Sequence, residues 1–518
     1  MTEQLEISSP NDSENNRKRK RLTVLVLLIF LGSLCVVLSL MLILTFVLCL
    51  HCPDCDSNYK QGTSGSEEKL TTQQSLVHFI HLTDVNLDLK YNSSIPKRDM
   101  CRAANGSIKT AEFKAPLGRI GCDTPLLLLE SSLEAIKNAT ERTKLNFILI
   151  SGDFSAHEVD VDEQHILEAM IRTANETHAV FPDIPVFPVI GLHDYLVPLT
   201  LPNTSDWYNS VLSPWEPLMI YDGSAGDASK STFSNTLRET FLEGGYYNAS
   251  IADGRMILIV LNTIYWHYKS NQDNLQVRKT ALSQLSWLES QLESAEGQGK
   301  RVLIASHIPP GVDVDDHQPF WLPNFTKRYM DLVGGRYHKV IAGQLFGHVH
   351  KDDFRLQTLE SNSDSVSNDA RKSFALIAPS LSPDYKSNPA FRVMILDEQS
   401  MSLYDYNQYY IDLDSTKVSS TPVWRLDYTF SKKYPLFANK SIDADRIYKL
   451  TEALINNEND MFWKAYAFSR QVNYWPDYYP RAVLYCSMRY VFKNDYEKCL
   501  LRMHFEAGAL LSSRRSRK

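Results

Sequence analysis

Six short apolar runs recur between residues 76 and 350, and each one stops abruptly at polar residues. They read LVHFIHLTD, LNFILISGD, IPVFPVIG, RMILIVLNT, KRVLIASH and HKVIAGQLFGH. Apolar runs of this length, bounded by turn residues, are typical of strands in a buried sheet. Helical patterns lie between them: one begins at Thr124-Pro125, where proline suits a first helical turn, and another covers residues 280–297. Strands that alternate with helices predict an α/β domain.

The pattern changes outside this region. Residues 51–74 are polar and without apolar periodicity, so they predict a stalk, and residues 357–373 predict a polar insertion. From about Tyr434 onward the pattern becomes helical and aromatic. This stretch predicts a smaller helical cap on the main body.

One N-terminal segment predicts a membrane anchor. No charged residue occurs from Leu22 to Leu50, and roughly 20 apolar residues suffice to cross a bilayer. Because the basic cluster Arg17–Arg21 precedes this segment, we expect the N-terminus to stay in the cytosol. The expected localisation is a single-pass type II membrane protein whose large domain is lumenal, in the lysosome, vacuole or secretory pathway, or extracellular. The predicted organisation is a cytosolic tail (1–21), a transmembrane anchor (22–50), a stalk (51–74), a main domain (75–432), a C-terminal helical subdomain (433–505) and a basic tail (506–518).

Sequons and cysteines after the predicted anchor favour an oxidising environment. Glycosylation is predicted at the sequons that begin at Asn92, Asn105, Asn138, Asn175, Asn203, Asn248, Asn324 and Asn439. Two sequence-local cysteine pairs are predicted as disulfides, with buried free thiols as the alternative: Cys101 with Cys122, and Cys486 with Cys499. Cys52 and Cys55 predict an interchain disulfide and hence a disulfide-linked dimer, with a zinc half-site or a redox pair as alternatives.

Composition changes this interpretation little. The chain is 43% hydrophobic and 11% aromatic, which is ordinary for a globular protein. A net charge of -7 is mild and gives no reason to expect a nucleic-acid duplex as a partner. Basic clusters near both ends are typical of solvated flanks.

Polar side chains follow five of the six apolar runs. They are Asp84, Asn86 and Asp88 after the first, Asp153 and His157 after the second, His193 and Asp194 after the third, His307 after the fifth, and His348 and His350 after the sixth. In α/β sheets the loops beyond the carboxyl ends of strands converge on one edge. A cluster of carboxylates and imidazoles at that edge predicts a site for two metal ions.

In this order, the motifs TDxxxD, GDxxAH, GxHD, SHIPPG and GHVH resemble those of calcineurin-like metallophosphoesterases. Within that family, VLNTIYW, APSLSPDYKSNPAFRV and YDYNQYYIDL resemble the branch of acid sphingomyelinase-like phosphodiesterases and endopolyphosphatases. The resemblance implies an α/β fold in which a β-sandwich is flanked by helices over residues 75–432. It also implies one or two divalent ions, with zinc as the expected metal, and a phosphodiester lipid, a nucleotide or polyphosphate as the substrate.

The resemblance further implies a role for each matching position. The positions that would hold the first metal are Asp84, Asn86, Asp153 and His350. The positions that would hold the second are Asp153, which bridges the two ions, residue 192, His307 and His348. His193 would contact the phosphate and protonate the leaving oxygen, and the expected supporting residues are Asp88, His157 and Asp194.

Two positions depart from the family pattern. Asn86 stands where the family has histidine, and its amide oxygen can still coordinate a hard cation. Leu192 stands where the family has asparagine, and its side chain has no lone pair to offer. The second metal site is therefore expected to be impaired. Two functions remain open: a hydrolase of phosphoric esters, and an inactive ectodomain that acts as a binding or receptor glycoprotein.

Overall fold

The structure is a computed structural model. It describes residues 75–102, 110–157, 163–197, 199–202, 205–219, 227–358, 372–417, 421–436, 440–455, 460–474 and 479–515. The chain separates into two units, Met1–Thr72 and Gln73–Lys518. The first unit lies outside the described residues, so the fold is that of the second.

In the part of the chain that the structure describes, twelve strands form two sheets. In chain order they are β1 (Leu76–Leu82), β2 (Leu145–Ile150), β3 (Val186–Pro188), β4 (Tyr247–Ile251), β5 (Met256–Val260), β6 (Arg301–Ala305), β7 (Ile341–Phe346), β8 (Asp353–Thr358), β9 (Lys372–Ile377), β10 (Ala390–Asp397), β11 (Leu403–Ile411) and β12 (Trp424–Thr429). The first sheet has the order β12-β11-β10-β1-β2-β3, and the second has the order β4-β5-β6-β7-β9-β8. All six apolar runs of the sequence are strands, namely β1, β2, β3, β5, β6 and β7.

The first sheet is parallel in one half and antiparallel in the other, and the second sheet has a parallel centre with an antiparallel strand at each edge. In the first sheet β1, β2 and β3 run parallel, with Phe79 opposite Phe147, while β10, β11 and β12 are antiparallel neighbours. In the second sheet β5, β6, β7 and β9 run parallel, and β4 and β8 pair antiparallel at the two edges. Apolar side chains of both sheets belong to one buried core. The predicted α/β sandwich is confirmed.

Helices lie in several of the connections between these strands and also follow the last strand. They are α1 (Leu126–Thr140), α2 (Glu163–Val180), α3 (Ser205–Met219), α4 (Asp227–Gly244), α5 (Leu275–Gly297), α6 (Pro323–Met330), α7 (Phe430–Lys433), α8 (Ala444–Ile455), α9 (Asp460–Arg470), α10 (Arg481–Arg489) and α11 (Lys493–Arg515). Helix α5 begins earlier than its leucine spacing predicts, because the Asn274 side chain accepts hydrogen bonds from the backbone nitrogens of Gln276 and Val277.

The region after Tyr434 is helical, as its pattern predicts. It contacts the sandwich through polar side chains: the Tyr466 hydroxyl donates to Asp353 at 2.8 Å, and the Asn388 amide donates to the Val472 carbonyl at 2.9 Å. The boundaries of the predicted domains stay predictions. The predicted insertion at 357–373 begins and ends in strands β8 and β9, and residues 359–371 lie outside the described residues.

Within the described ranges, no helix combines the length and the apolar character needed to cross a membrane. Helix α5 is 23 residues long, for example, but it carries charged side chains such as Arg278, Lys279 and Glu289 on the face that does not pack on the sheet. This finding contradicts the localisation as a single-pass type II membrane protein, and that prediction is corrected. The segments at 1–21, 22–50 and 51–74 lie outside the described residues.

Both predicted disulfides are present. Cys101 is bonded to Cys122 and Cys486 to Cys499, with Cα atoms 6.0 and 5.8 Å apart. Four of the sequon asparagines are exposed, namely Asn92, Asn138, Asn175 and Asn324. A fifth, Asn248, is half-buried. The remaining positions lie outside the described residues: Asn105, Asn203, Asn439, and the predicted dimer cysteines Cys52 and Cys55.

Candidate metal centre

The residues that follow β1, β2 and β7 have an unusual backbone conformation. Non-glycine residues seldom adopt a positive φ, and each instance costs free energy that the surrounding structure must offset. The residues with positive φ in these loops are Asp84 (49°), Asn86 (41°), Asp153 (54°), His348 (70°) and His350 (57°). This conformation turns the chain sharply at the strand ends and gathers the polar side chains at one edge.

Two glycines let these loops approach one another closely. A Cβ atom on Gly191 would overlap the backbone nitrogen of Asp153, and one on Gly347 would overlap the hydroxyl of Thr83. The loop after β3 therefore lies directly against the loop after β2. The loop after β7, which belongs to the second sheet, lies against the end of β1 in the first sheet. Glycine is required at both positions because no side chain fits there.

The first group of ligand atoms consists of Asp84, Asp153 and His350, which can converge on one ion. Nε2 of His350 lies 3.2 Å from Oδ1 of Asp84, and Asp84 also accepts the backbone N–H of His348 at 3.0 Å. The Asn86 amide nitrogen donates to the Ser155 carbonyl at 3.1 Å. Its Oδ1 is buried and has no hydrogen-bond partner in the described part of the chain. A buried acceptor without a donor is costly, so this oxygen suits a cation.

The second group consists of Asp153, His307 and His348, and it shares Asp153 with the first. Nδ1 of His307 lies 2.9 Å from the Ser151 carbonyl oxygen, which places the proton on Nδ1. Nε2 of the same ring then faces Oδ2 of Asp153 at 3.2 Å. Two lone pairs at this distance repel unless a proton or a cation lies between them. This geometry fits a metal ion held jointly by an imidazole and a carboxylate.

Leu192 lies beside this second group. It is the first residue of a short helical turn, Leu192–Asp194, and its half-buried side chain packs against the hydrophobic core. Among the described histidine, cysteine, aspartate and glutamate side chains, the group that contains His307 and His348 has Asp153 as its one further member. The second group therefore offers three protein ligands.

The electrostatics of the cluster are those of an anionic site surrounded by imidazoles. Burial would raise the pKa of Asp153, but the neighbouring His307 and His193 hold it well below the usual value. Burial likewise opposes charge on His307, but Asp153 outweighs it and raises the pKa of that imidazole to about 9. The carboxylates are thus kept ionised and attract positive charge, which a divalent cation would supply.

His193 contacts the cluster without belonging to either group. Its backbone N–H donates to Oδ1 of Asp153 at 2.8 Å, and its half-buried ring meets the ring of His157 edge-on at 4.3 Å between centroids. Burial lowers the pKa of His193 to about 4. A third set of ligand atoms, from Asp153, His157 and His193, also lies close together.

Two of the three predicted supporting residues organise loops. Asp194 accepts the backbone N–H groups of Gly191 at 2.7 Å and Phe154 at 2.7 Å, so it joins the loops after β2 and β3. Burial, helped by the nearby Asp153, raises the pKa of Asp194 to about 7. Asp88 accepts from the Arg102 guanidinium at 2.8 Å. Both contacts are with protein groups, and their geometry is that of scaffolding residues.

The third, His157, depends on residues that sequence reasoning missed. Nδ1 of His157 lies 2.7 Å from Oδ1 of Asp123, and Arg102 donates to the same carboxylate at 3.2 Å. Burial would lower the pKa of His157, but Asp123 raises it to about 9. Arg102 and Asp123 directly follow Cys101 and Cys122, so the disulfide sets them side by side. A charged residue after each paired cysteine was the signal that could have revealed them.

A cavity of about 330 Å³ opens beside the cluster. His348 and Val349 form one side of it, and Phe320, Tyr385 and Tyr479 add aromatic surface. The ring of Tyr385 also lies 4.5 Å from that of His350, between centroids. The cavity therefore adjoins the cluster at His348.

These features define the class of protein. Residues 79–352 match the family described as "Calcineurin-like phosphoesterase", which is more than half of the 518 residues. The chain therefore belongs to the calcineurin-like phosphoesterase family, and the family predicted from its motifs is confirmed. Membership implies a divalent metal, for which the two groups above are the candidate sites.

Curated relatives place the chain within this family. It is similar to sphingomyelinase phosphodiesterase C of Dictyostelium discoideum, with 28% identity over 82% of this chain and 93% of that protein. It is similar to the cyclic GMP-AMP phosphodiesterase SMPDL3A of Bos taurus, with 27% identity over 77% of this chain and 84% of that protein. It is also similar to human acid sphingomyelinase-like phosphodiesterase 3b, with 29% identity over 69% of this chain and 75% of that protein. These likenesses support the predicted sphingomyelinase-like branch.

Proposed function

We propose that this protein is a metal-dependent phosphodiesterase that works with two unequal cation sites. The observation that carries the proposal is the pair of ligand groups that share Asp153 at the joined ends of the two sheets. Two cations in such an arrangement clamp the attacking and leaving oxygens of a displacement at phosphorus. The phosphodiester substrate is inferred from the three relatives named above, all of which are phosphodiesterases by name.

The first site is proposed to be the stronger one. Besides its three ligand residues, Asp84, Asp153 and His350, we propose that it uses the buried Oδ1 of Asn86, which has no hydrogen-bond partner among the described residues. The second site has two imidazoles and one carboxylate, a set that suits zinc with an open fourth position. We therefore expect zinc at both sites, with weaker binding at the second because Leu192 supplies no ligand.

The chain's own side chains would carry the proton transfer. His193 lies at the edge of both groups, with its backbone tied to Asp153 at 2.8 Å, and we propose that it protonates the leaving oxygen. The ring of His157, which Asp123 orients through Nδ1, lies next to the ring of His193 and would bind a phosphate oxygen. Asp194 and Asp88 would hold the loops that carry these residues.

Glycosylation remains part of the proposal. The sequon asparagines Asn92, Asn138, Asn175 and Asn324 are exposed, which supports modification there. Both disulfides support folding in an oxidising environment. The alternative of an inactive binding glycoprotein is less well supported, because the relatives named above are phosphodiesterases and six of the predicted carboxylate and imidazole residues lie together.

The test is the metal content of the purified full chain, measured together with hydrolysis of bis(4-nitrophenyl) phosphate. We expect more than one zinc per chain at saturating zinc, one of them lost first on dilution, and hydrolysis that disappears with chelation and returns with zinc. A chain that binds zinc at both groups without hydrolysing any phosphodiester would contradict the proposed enzyme. A chain that binds no divalent metal would contradict the proposed site itself.

A further inference from the structure

A short hairpin, residues 311–320, forms one side of the cavity beside His348 and is named the cavity hairpin. The backbone N–H of Asp313 donates to the Gln318 carbonyl at 2.8 Å, and that of Phe320 donates to the Gly311 carbonyl at 2.9 Å. Four of its side chains line the cavity: Asp313, Val314, Asp315 and Phe320. The position of this hairpin therefore decides how wide the cavity is.

The cavity hairpin is also connected to the metal cluster. The ring of Phe320 meets the imidazole of His348 edge-on, at 5.5 Å between centroids. His307, whose Nε2 faces Asp153, precedes the hairpin in the same loop after β6. A displacement of the hairpin would therefore change the space directly beside a phosphate held at the cluster.

The tip of the cavity hairpin is exposed to solvent. Asp315, Asp316 and His317 are all exposed, and His317 has a positive φ of 56°. Non-glycine residues persist in this conformation only where the surrounding structure holds them. Exposed loops with few contacts are also the parts of a protein that open most easily. The contacts made by the tip are therefore important for the shape of the cavity.

These contacts come from the C-terminal helix pair, which consists of α10 (Arg481–Arg489) and the first turns of α11, from Lys493 onward. Nδ1 of His317 lies 2.6 Å from the hydroxyl oxygen of Tyr496, so a hydrogen bond joins the two side chains. Nζ of Lys493 donates to the side-chain oxygen of Gln318 at 3.0 Å. The tip of the hairpin is thus attached to α11 at two neighbouring residues.

The base of the cavity hairpin packs on the same helix pair. A small hydrophobic cluster, separate from the main core, consists of Val312, Cys486, Tyr496 and Cys499. Each of these residues is at most 5% exposed. The disulfide between Cys486 and Cys499 joins α10 to α11 around Tyr496. Both the base and the tip of the hairpin are therefore held by one disulfide-bonded unit.

We propose that the C-terminal helix pair is a positioning element for the substrate, with Tyr496 as its positioning residue. By holding the cavity hairpin, it sets the space for the alcohol group that stays on phosphorus when a phosphodiester reacts at the cluster. The cavity of about 330 Å³ is at the lower end of small-molecule sites, roughly 300–1,000 Å³, so a group the size of one aromatic ring suits it. The inference rests on the proposed phosphodiesterase function and adds a determinant of specificity to it.

The first test compares two phosphodiesters that share 4-nitrophenol as the leaving group. The alcohol that stays on phosphorus is methanol in one and a second 4-nitrophenol in the other. Tyr496→Phe removes the hydroxyl and keeps the ring, so it should raise KM for the bis(4-nitrophenyl) ester roughly 2- to 10-fold, the effect of one hydrogen bond. KM for the methyl ester, kcat for both esters and the zinc content should stay as in the wild type. An unchanged KM for the bis(4-nitrophenyl) ester, or an equal change for both esters, would overturn the proposal.

Variants at the partner residue locate the effect. His317→Asn suits the positive φ but shortens the side chain that contacts Tyr496, so it should shift the same KM by a similar factor. Combined with Tyr496→Phe it should add little, because both changes remove one interaction. The matched control is Tyr246→Phe, which removes an equally short hydroxyl contact, with Glu243 at 2.6 Å, and should leave both KM values unchanged. Fully additive effects would mean that the two residues act separately and would refute this assignment.

Removal of the disulfide tests the helix pair as a whole. Cys486→Ser combined with Cys499→Ser should raise KM for the bis(4-nitrophenyl) ester at least as much as Tyr496→Phe does, with the zinc content unchanged. Loss of zinc with an equal loss of activity on both esters would make the helix pair a support of the metal site and would contradict the proposal. Tyr496→Phe keeps both cysteines and the aromatic ring, so it decides the question if the serine variant does not fold.

A binding measurement separates this inference from the proposed function. Calorimetric titration of the zinc-loaded chain with phenylphosphonate, which carries a ring, is compared with methylphosphonate, which does not. Weaker binding of phenylphosphonate alone by Tyr496→Phe, by roughly 2- to 10-fold, supports the positioning role even in a chain that hydrolyses nothing. An equal effect on both ligands, or none, overturns it even in a chain that is an active phosphodiesterase.

Discussion

Each of the two ligand groups has one position that departs from the predicted family pattern, and the two departures differ in their side-chain chemistry. In the first group Asn86 stands where the predicted family pattern has histidine, and its buried Oδ1 has no hydrogen-bond partner in the described chain. In the second group an amide is replaced by Leu192, whose side chain turns to the hydrophobic core. A substitution that keeps a donor oxygen preserves the coordination number, whereas hydrocarbon reduces it. The cluster should therefore bind one ion firmly and one weakly.

The largest effect is expected from the residue that the two groups share. Asp153→Asn removes the negative charge from both groups, so both ions should be lost. Hydrolysis of bis(4-nitrophenyl) phosphate should fall by more than the roughly 100-fold that loss of an outer-shell residue can cost. Metal content by mass spectrometry is the measurement, and Asp253→Asn, at an exposed turn, is the control. Retention of both ions would show that Asp153 does not bridge.

The next largest effect is expected at His193, which serves both groups and belongs to neither. His193→Ala should lower kcat by about 10²- to 10⁴-fold, the usual contribution of a general acid, while the zinc content stays unchanged. His178→Ala, on the exposed face of α2, is the matched control. Loss of a zinc ion from the His193 variant would instead make this residue a ligand and would contradict the proposed role.

A substitution of Leu192 tests directly whether this residue is the reason for weaker metal binding by the second group. Leu192→Asn should tighten binding of the second ion about 10- to 100-fold, while the first ion, titrated separately, should change little. The double variant with Asn86→His should bind both ions more tightly, but less than additively, because the groups share Asp153. Leu196→Asn, at a 45% exposed position of the same loop, is the control. An unchanged second affinity would mean that Leu192 does not limit the site.

The smallest effect is expected for the pH dependence of stability, through a buried histidine near the first group. His81, at the end of β1 behind the first group, is fully buried, and its Nε2 lies 2.8 Å from the Ser151 hydroxyl. Burial, together with the charge of Arg392, lowers the pKa of His81 to about 3. Below about pH 6.5 His81 is protonated in the unfolded chain but stays neutral in the folded chain. The free energy of unfolding should therefore decline as the pH falls from about 6.5 to about 3.

The expected slope from this one group is at most about 1.4 kcal/mol per pH unit. Urea unfolding of wild type and His81→Gln across this range measures it, and the variant should show the shallower dependence on pH. Identical slopes for the two proteins would show that His81 is not the group responsible. His178→Gln should follow the wild type.

Much of the fold could be predicted from the pattern of apolar positions. The six runs became β1, β2, β3, β5, β6 and β7 because continuous apolar segments are stable only where both faces of a strand are covered. The antiparallel half of the first sheet was not predicted, since β10, β11 and β12 contain many buried or half-buried polar side chains such as Arg392, Gln408 and Asp405. Several of these polar groups pair across strands, for instance Nε of Arg392, which donates to Gln408 at 3.0 Å. Pairing of this kind cannot be recognised from the sequence of one strand alone.

The sequence by itself determined which residues stand at the strand ends, because those positions follow from local chain order. It also specified that Leu192 offers no ligand atom, since that depends on side-chain chemistry alone. Only the tertiary structure decided which side chains meet: Asp123 with His157 through a disulfide, and Lys351, Arg355 and Arg470 around one cavity. These contacts join residues far apart in the chain. Their existence depends on how the two sheets and the C-terminal helices pack, which no local pattern encodes.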